Sequence, residues 1–435
     1  MITTGRFILG VLTLFFISGS GFAQQDTLSQ YYDEFHITNR NMIYVANVKT
    51  VRLHNANSER SYPLINMQAG EKLMLTFDDL EADVKDYQYT VVHYDHSWQE
   101  KDLRSYEYME GFETDLIENY ESSLGTDIPY THYSLQFPTE YLRITKSGNY
   151  LLKVFDGVET DDNTIITRRF MIGKNLVEVN GKIKRALTGS DETGYNQQLE
   201  ITIDTKGKNL INPSQNVKLL VMQNRRWDNA RYNIRPTTVM GNSIEYYNNP
   251  ELVFKSGNEY RHFDTKDLSH VTEYIRSIES TPTGYEVILK ADERRTFDPY
   301  LSENDLNGRS LIRARLGRDP ATEAEYTDVY FFMPYAYPIG LGDFFLIGQL
   351  SDWNLNPSAK LQYNFQKKGY EGYMLLKQGY YEYLYGFVED GKQLADVTLL
   401  EGNHFETENE YMVFVYYREP GTFYDQLIGS GLITQ

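Results

Sequence analysis

Short segments in which side chains alternate with a period of two recur along this 435-residue chain. Leu73, Leu75 and Phe77 show the pattern, because the residues between them would all point to the opposite face of a strand. Similar segments occur near residues 51–53, 87–98, 150–155, 199–203, 285–289 and 381–387. The best helical candidate, residues 266–278, covers no more than about three turns. Short strands separated by turn residues therefore predict an all-β fold of β-sandwiches.

Two interruptions of the strand pattern predict the domain boundaries. Gly173 and Lys174 interrupt it before a new strand begins at Val177, and residues 334–342 contain two prolines and two glycines. A chain of this length usually forms about two to four domains. We predict three consecutive immunoglobulin-like, early-set β-sandwich domains at residues 30–173, 174–336 and 337–419. A tail at residues 420–435 carries an apolar patch that either docks or stays loose.

The first residues have the three parts of a secretory signal peptide. Arg6 is followed by an apolar run at residues 7–17 and by small residues that end at Ala23. We therefore predict a signal peptide at residues 1–23, cleaved after Ala23. Neither this run nor any later segment approaches the roughly 20 apolar residues that span a bilayer, so no membrane-spanning helix is expected. The chain has no cysteine, which excludes disulfides, thioether lipid anchors and a thiol nucleophile.

The charge and tyrosine content narrow the class of partner. A formal net charge of −19 argues against nucleic acid or anionic lipid and favours a basic partner surface. The chain has 37 tyrosines against 22 phenylalanines and 3 tryptophans. Tyrosine suits strands and half-exposed contact surfaces, because its ring buries area while its hydroxyl keeps a polar partner. The composition therefore fits either an ordinary exported β protein or one with a protein-binding surface.

The strand predicted at residues 87–98 ends in a cluster of potential metal ligands. The first predicted domain contains these candidates: His54, His93, Asp95, His96 and His132. On a strand, His93 and Asp95 share a face, whereas His96 points the other way, and the spacing matches no established zinc motif. We predict no metal site, with a zinc hydrolase on these residues as the alternative. The simpler interpretation is a strand end whose polar side chains bond to loops and whose Trp98 closes the core.

Motifs of the common enzyme classes are missing from the sequence. No Gly-x-Ser-x-Gly pentapeptide occurs. Gly386, Gly391 and Lys392 come near a phosphate-binding loop, but Gln393 replaces the required Ser or Thr, and a strand pattern follows instead of a helix. Gly391 fits the turn of a hairpin better. We therefore predict no catalytic residue, no cofactor and no small-molecule substrate.

The third predicted domain resembles the early-set modules that bind glycogen and starch. The resemblance lies in residues 345–354 (FLIGQLSDWN) and 379–386 (GYYEYLYG). In such modules an aromatic ring near the first loop stacks on a sugar, which makes Trp353 the candidate for sugar stacking. Trp353 serves equally well as a core residue, and a second tryptophan is missing from the segment.

Six segments of the first predicted domain occur in the order found in one family of secretion proteins. They are residues 61–65 (SYPLI), 75–80 (LTFDDL), 87–98 (YQYTVVHYDHSW), 107–112 (EYMEGF), 129–133 (PYTHY) and 147–150 (SGNY). In this order they resemble the type IX secretion system plug protein family, and the resemblance extends from about residue 48 to residue 429. The chain departs from the family at Tyr94, where a small residue is usual, and at Ser97, where an acidic or amide side chain is usual.

The resemblance implies a mechanical rather than a chemical role. It implies a non-enzymatic periplasmic plug that seals the periplasmic mouth of the type IX secretion outer-membrane translocon barrel, its partner. The protein would lie in the periplasm, peripherally associated with that barrel, and the residues that contact the barrel are unknown. The alternative is an outer-membrane-associated carbohydrate-binding protein that uses Trp353.

Overall fold

The structure, a computed structural model, describes residues 38–99, 103–186 and 194–435. The predicted signal peptide and its cleavage site at Ala23 lie outside these residues. Strands account for nearly all regular structure of the described chain, which confirms the all-β fold class. The short helices of the described residues are α1 (Ser105–Tyr108), α2 (Pro213–Asn216), α3 (Thr398–Glu401) and four 3₁₀ helices at Met67–Ala69, Pro250–Leu252, Gln349–Ser351 and Pro357–Ala359. No helix in these described ranges is long and apolar enough to cross a membrane.

Two sheets enclose the first core. Their strands are β1 (Met42–Ile43), β2 (Val48–Asn55), β3 (Leu64–Asn66), β4 (Leu73–Asp79), β5 (Tyr87–Tyr94), β6 (Met109–Gly111), β7 (Asp115–Leu116), β8 (Asn119–Ser122), β9 (Thr131–Phe137), β10 (Leu142–Ile144), β11 (Gly148–Asp156) and β12 (Thr164–Gly173). One sheet has the order β1-β12-β11-β5-β7, with β3 parallel to β12, and the other has the order β2-β4-β9-β8. Strands β6 and β10 form a separate pair. As the alternation predicts, Leu73, Leu75 and Phe77 are fully buried between the sheets.

The next part of the chain begins a second sandwich. Its strands are β13 (Glu178–Arg185), β14 (Gln197–Asp204), β15 (Val217–Gln223), β16 (Arg231–Ile234), β17 (Thr238–Met240), β18 (Ser243–Tyr246) and β19 (Val253–Phe254). One sheet has the order β13-β14-β18-β17, with β19 also paired to β14. The opposite sheet contains only β15 and β16 from this region, so the second core needs strands from elsewhere.

A third sandwich follows before the second is complete. Its strands are β20 (Arg261–Asp264), β21 (Ile275–Thr281), β22 (Gly284–Leu289), β23 (Ser310–Ile312), β24 (Tyr326–Pro334), β25 (Gly342–Ile347), β26 (Gln362–Asn364), β27 (Gly369–Lys377) and β28 (Gly379–Glu389). One sheet has the order β21-β22-β24-β27-β26. In the other, β20, β23 and β25 all pair with the long strand β28. The third core lies between these two sheets.

The C-terminal strands return to the second core. Strand β29 (Glu410–Tyr417) pairs with β15, and β30 (Gln426–Thr434) pairs with β29, which completes the order β16-β15-β29-β30. Leu427 and Ile428, predicted to lie in a tail, are 0% and 1% exposed. Residues 420–435 are therefore largely a core strand.

The strand pairing differs from the predicted boundaries after residue 174. Strands β24 and β27 pair continuously from Tyr326↔Lys377 to Pro334↔Gly369, so residues 337–419 do not form a sandwich of their own. The prolines and glycines at residues 334–342 mark a loop between two strands of the third sandwich. The helical candidate at residues 266–278 is also wrong, because it consists of a loop and the start of β21.

Candidate functional site

The strand predicted at residues 87–98 is β5 (Tyr87–Tyr94) followed by a turn, and this turn lies where the first and second cores meet. Tyr87 and Tyr89 point into the first core, whereas Tyr94 and Trp98 belong to another apolar cluster. That cluster joins the outer faces of β11 and β12 to those of β15, β29 and β30. Because the outer faces of two sheets are buried against each other, the strand end is part of an interface within the molecule.

His93 is separated from the other predicted metal ligands. Its ring is fully buried and packs against Tyr150, Tyr108 and Tyr424, with ring centroids 5.0, 5.8 and 5.9 Å apart. Burial lowers the pKa of His93 to about 4, so the imidazole is neutral at physiological pH. His93 is therefore a core residue surrounded by aromatic rings.

Asp95 and His96 instead face the start of β30. His96 Nδ1 lies 2.8 Å from Asp425 Oδ2, and His96 Nε2 lies 2.5 Å from Asn233 Oδ1. Asp425 also accepts hydrogen bonds from Arg418 at 2.9 and 2.8 Å, and Lys218 Nζ lies 3.4 Å away. Burial opposes ionisation of Asp425, but His96, Arg418 and Lys218 outweigh it and hold the pKa of Asp425 well below its usual range.

The group Asp95, His96 and Asp425 presents potential ligand atoms within 4.8 Å of one another. The surrounding charges do not fit a metal ion, because Arg418 and Lys218 already neutralise Asp425 and would repel another cation. Asp95 accepts hydrogen bonds from the Ser97 hydroxyl and from the amides of residues 97 and 99, as in a tight turn. These residues form a buried polar link between the first and second cores.

His132 belongs to a different link, between the first and third cores. Its Nδ1 lies 2.6 Å from Asp78 Oδ1, while Asp78 Oδ2 accepts hydrogen bonds from Lys377 Nζ at 2.7 Å and the Tyr326 hydroxyl at 2.6 Å. The side chains of Asp78 and Lys377 are each only 1% exposed. Burial opposes the charge on Asp78, but Lys377 and His132 together hold its pKa below the ordinary value.

Segments of all three sandwiches line a cleft with a volume of about 60 Å³. Its lining includes Arg52, His54, Glu59, Tyr62, Arg168, Arg169, Arg225, Trp227, Asp352 and Trp353. Arg168 donates to Asp352 at 2.8 Å, and the Arg169 guanidinium lies 4.3 Å from the Trp227 ring centroid. Trp353, the candidate for sugar stacking, is half-buried in this cleft.

The near match to a phosphate-binding loop is a turn. Gly391 follows the end of β28 and has a φ of +77°, a conformation that glycine adopts without strain. The next helix, α3, begins only at Thr398, so the backbone after Lys392 lacks the helix that cradles phosphate.

Reasoning from the sequence missed most residues of these links. Asp425, Arg418 and Lys218 come from the region treated as a tail or as another domain. One signal was available: Arg168 and Arg169 lie inside the otherwise largely apolar strand β12, all of which is buried. A charged pair within such a strand indicates a second buried partner on its outer face.

Comparison with known proteins identifies the family. Residues 48–174 match the family described as "Type 9 secretion system plug protein 1st domain". A hypothetical protein from Parabacteroides merdae ATCC 43184, known from a 2.30 Å crystal structure, is 32% identical and superposes with a TM-score of 0.87. The alignment covers 92% of this chain and 100% of that protein.

The C-terminal domain of the Streptococcus pyogenes antigen I/II-family protein AspA is 8% identical over 89% of this chain and 100% of that one. Its TM-score of 0.15 is too low to indicate a shared fold. No curated protein matches the chain significantly. The matched first domain, six sequence segments in the family's order and the all-β fold agree with one another. The chain therefore belongs to the type 9 secretion system plug protein family.

Proposed function

We propose that this protein is the periplasmic plug that seals the periplasmic mouth of the type IX secretion outer-membrane translocon barrel. The observation that carries the proposal is the family match at residues 48–174. A pore wide enough for folded cargo would leak solutes when idle. A protein that occludes it reversibly would prevent that leak without any catalysis.

The polar links between the cores suit such a role. Lys377 and Asp78 join the third core to the first, and Arg168 and Asp352 form a second ion pair between the same cores. His96 and Asp425 join the first core to the second. Because each link is largely buried, shearing the cores apart would expose or unpair charges at a high cost in free energy. These links favour a rigid body, which resists deformation when it closes an opening.

We place the protein in the periplasm, in contact with the barrel and without a cofactor. The predicted signal peptide at residues 1–23 supports export, and the family supports the partner. Release for cargo requires a reversible contact, so we expect an interface of standard size, on the order of 1,600 Å², rather than a permanent one. Aromatic and arginine side chains would serve as its anchors.

Affinity capture from detergent-solubilised envelopes tests the partner. A tagged copy of the protein should co-purify with one very large outer-membrane barrel, identified by mass spectrometry, whereas an unrelated tagged periplasmic protein should not. Deleting the protein should also increase envelope permeability to large solutes, provided that the barrel is present. Capture without any barrel, together with unchanged permeability after deletion, would contradict the proposal.

A further inference from the structure

The cleft between the cores carries more positive than negative charge. Its charged lining consists of four arginines and two carboxylates, namely Arg52, Arg168, Arg169, Arg225, Glu59 and Asp352. The whole chain, in contrast, has a net charge of −19. Positive charge is therefore concentrated at one partly enclosed place on an acidic protein, which is the arrangement that attracts an anion.

Arg52 has unused hydrogen-bonding capacity at this cleft. Its Nε atom is buried and has no acceptor within hydrogen-bonding distance among the described residues. Its terminal nitrogens lie 3.4 Å from Glu59 Oε2, longer than the roughly 2.8 Å of a tight guanidinium–carboxylate bond. Glu59 is bound more closely by Arg313, on the other side. The terminal nitrogens of Arg52 are thus held only by long bonds to Glu59, so they retain capacity for an additional acceptor.

Burial disfavours the charge on the arginines of the lining, although Arg168 pairs with Asp352 and Arg225 pairs with Glu410. Burial lowers the pKa of Arg52, Arg168 and Arg169, and it lowers that of Arg225 to about 10, despite the nearby carboxylates. Desolvation is the largest cause at all four residues, and the charge of Arg309 adds to it at Arg225. An anion in the cleft would stabilise these buried positive charges.

We propose that the cleft binds an oxyanion of the size of one carboxylate group, with Arg52 as its principal donor. A volume of about 60 Å³ admits a carboxylate or a small tetrahedral anion. Glu59 shows that a carboxylate fits between arginines here, since it contacts both Arg52 and Arg313. The anion is either free or the acidic side chain of a bound polypeptide. This inference does not depend on the plug function.

Isothermal titration calorimetry on the signal-free protein tests the inference. Acetate, inorganic phosphate and a capped tetraglutamate peptide are titrated at constant ionic strength. We expect saturable binding of at least one of them and at least tenfold weaker binding by Arg52→Gln. Arg143→Gln is the matched control, because Arg143 is 63% exposed and pairs with Glu110 at the surface. Binding of acetate or phosphate assigns the cleft to a free anion, whereas binding of the peptide alone assigns it to an acidic segment.

A second variant separates binding from folding. Glu59→Gln removes the internal carboxylate that competes for Arg52, so it should bind the same anion severalfold more tightly than the unmodified protein. Misfolding cannot produce such a gain. The inference is overturned if none of the three probes binds saturably, or if Arg52→Gln and Glu59→Gln both bind with the affinity of the unmodified protein.

Discussion

At the scale of single residues, the informative side chains are charges buried between cores. Arg169 packs against the rings of both Trp98 and Trp227, with its guanidinium 4.6 and 4.3 Å from their centroids. Such cation–π contacts, together with ion pairs, compensate charges that would otherwise be costly to bury. The chain retains these charges at the places where its cores meet. Removing the partner of any one of them should therefore destabilise the folded protein.

Asp78→Asn should destabilise the folded protein strongly. The substitution removes the ion-pair partner of the Lys377 ammonium, which is 1% exposed, and breaking a buried ion pair costs about 3–5 kcal/mol. Urea-induced unfolding of the signal-free protein measures the change in the free energy of unfolding. Asp328→Asn is the matched control, because Asp328 is exposed on β24, and its effect should stay within about 0.5 kcal/mol. Equal effects of the two substitutions would contradict the buried link.

Asp425 should make the protein sensitive to acid. Its pKa in the folded state is held below the unfolded value of about 4, so its contribution to stability is present above that value. As the pH falls below the pKa of Asp425 in the unfolded state toward its pKa in the folded state, contacts with His96, Arg418 and Lys218 oppose protonation of Asp425 in the folded protein. Stability is therefore lost as the pH falls.

Thermal unfolding from pH 7 to pH 3 checks this prediction. The melting temperature of the unmodified protein should fall as the pH drops below about 4. Asp425→Asn should melt lower at pH 7 and lose less on acidification, because the titrating group is gone. Parallel pH profiles for the two proteins would show that Asp425 does not carry the effect.

At the scale of elements, β30 is held tightly against the segment that leads into β13. Gly429 faces Val177, which is 4% exposed, and a Cβ atom added at Gly429 would fall well inside van der Waals contact with the Val177 side chain. Gly429→Ala should therefore destabilise the protein by about 1–3 kcal/mol through overpacking. Gly340→Ala is the control, since nothing lies within 4 Å of its added Cβ. Chemical denaturation that shows no difference between the two would contradict this packing.

Local alternation predicted the longer strands β2, β4, β5 and β11 of the first core, but not its short strands. Leu73, Leu75 and Phe77 are buried in β4 as the pattern requires, because only the face that carries them packs against the first core. Strand β12 does not alternate, since its second face is covered by the second sandwich. The alternation rule cannot indicate what covers that second face.

Pairing between distant strands could not be predicted from the sequence. Val217 pairs with Tyr417, and nothing in either segment specifies the other. The predicted boundary near residue 336 was wrong for the same reason. A loop rich in proline and glycine has the same sequence pattern whether it connects two strands of one sandwich or connects two separate sandwiches. The links at Asp425 and Asp78 depend on these distant pairings, so the candidate site was equally hidden.

At the scale of the whole molecule, the third sandwich is inserted into the second. The chain leaves the second core after Phe254 and returns to it at Glu410, so two segments connect these cores. This double connection, together with the buried links to the first core, favours a body in which no core moves independently. That property suits a protein whose proposed work is to close an opening.

Solute efflux from vesicles that contain the purified translocon barrel tests the central claim most directly. The vesicles are loaded with a fluorescent dextran, and the signal-free protein is added to the side that the periplasmic mouth faces. The account predicts that efflux slows and saturates as the protein approaches one copy per barrel, whereas a denatured sample has no effect. Efflux that is unchanged at saturating protein, although the protein is folded and the barrel intact, would contradict the plug function.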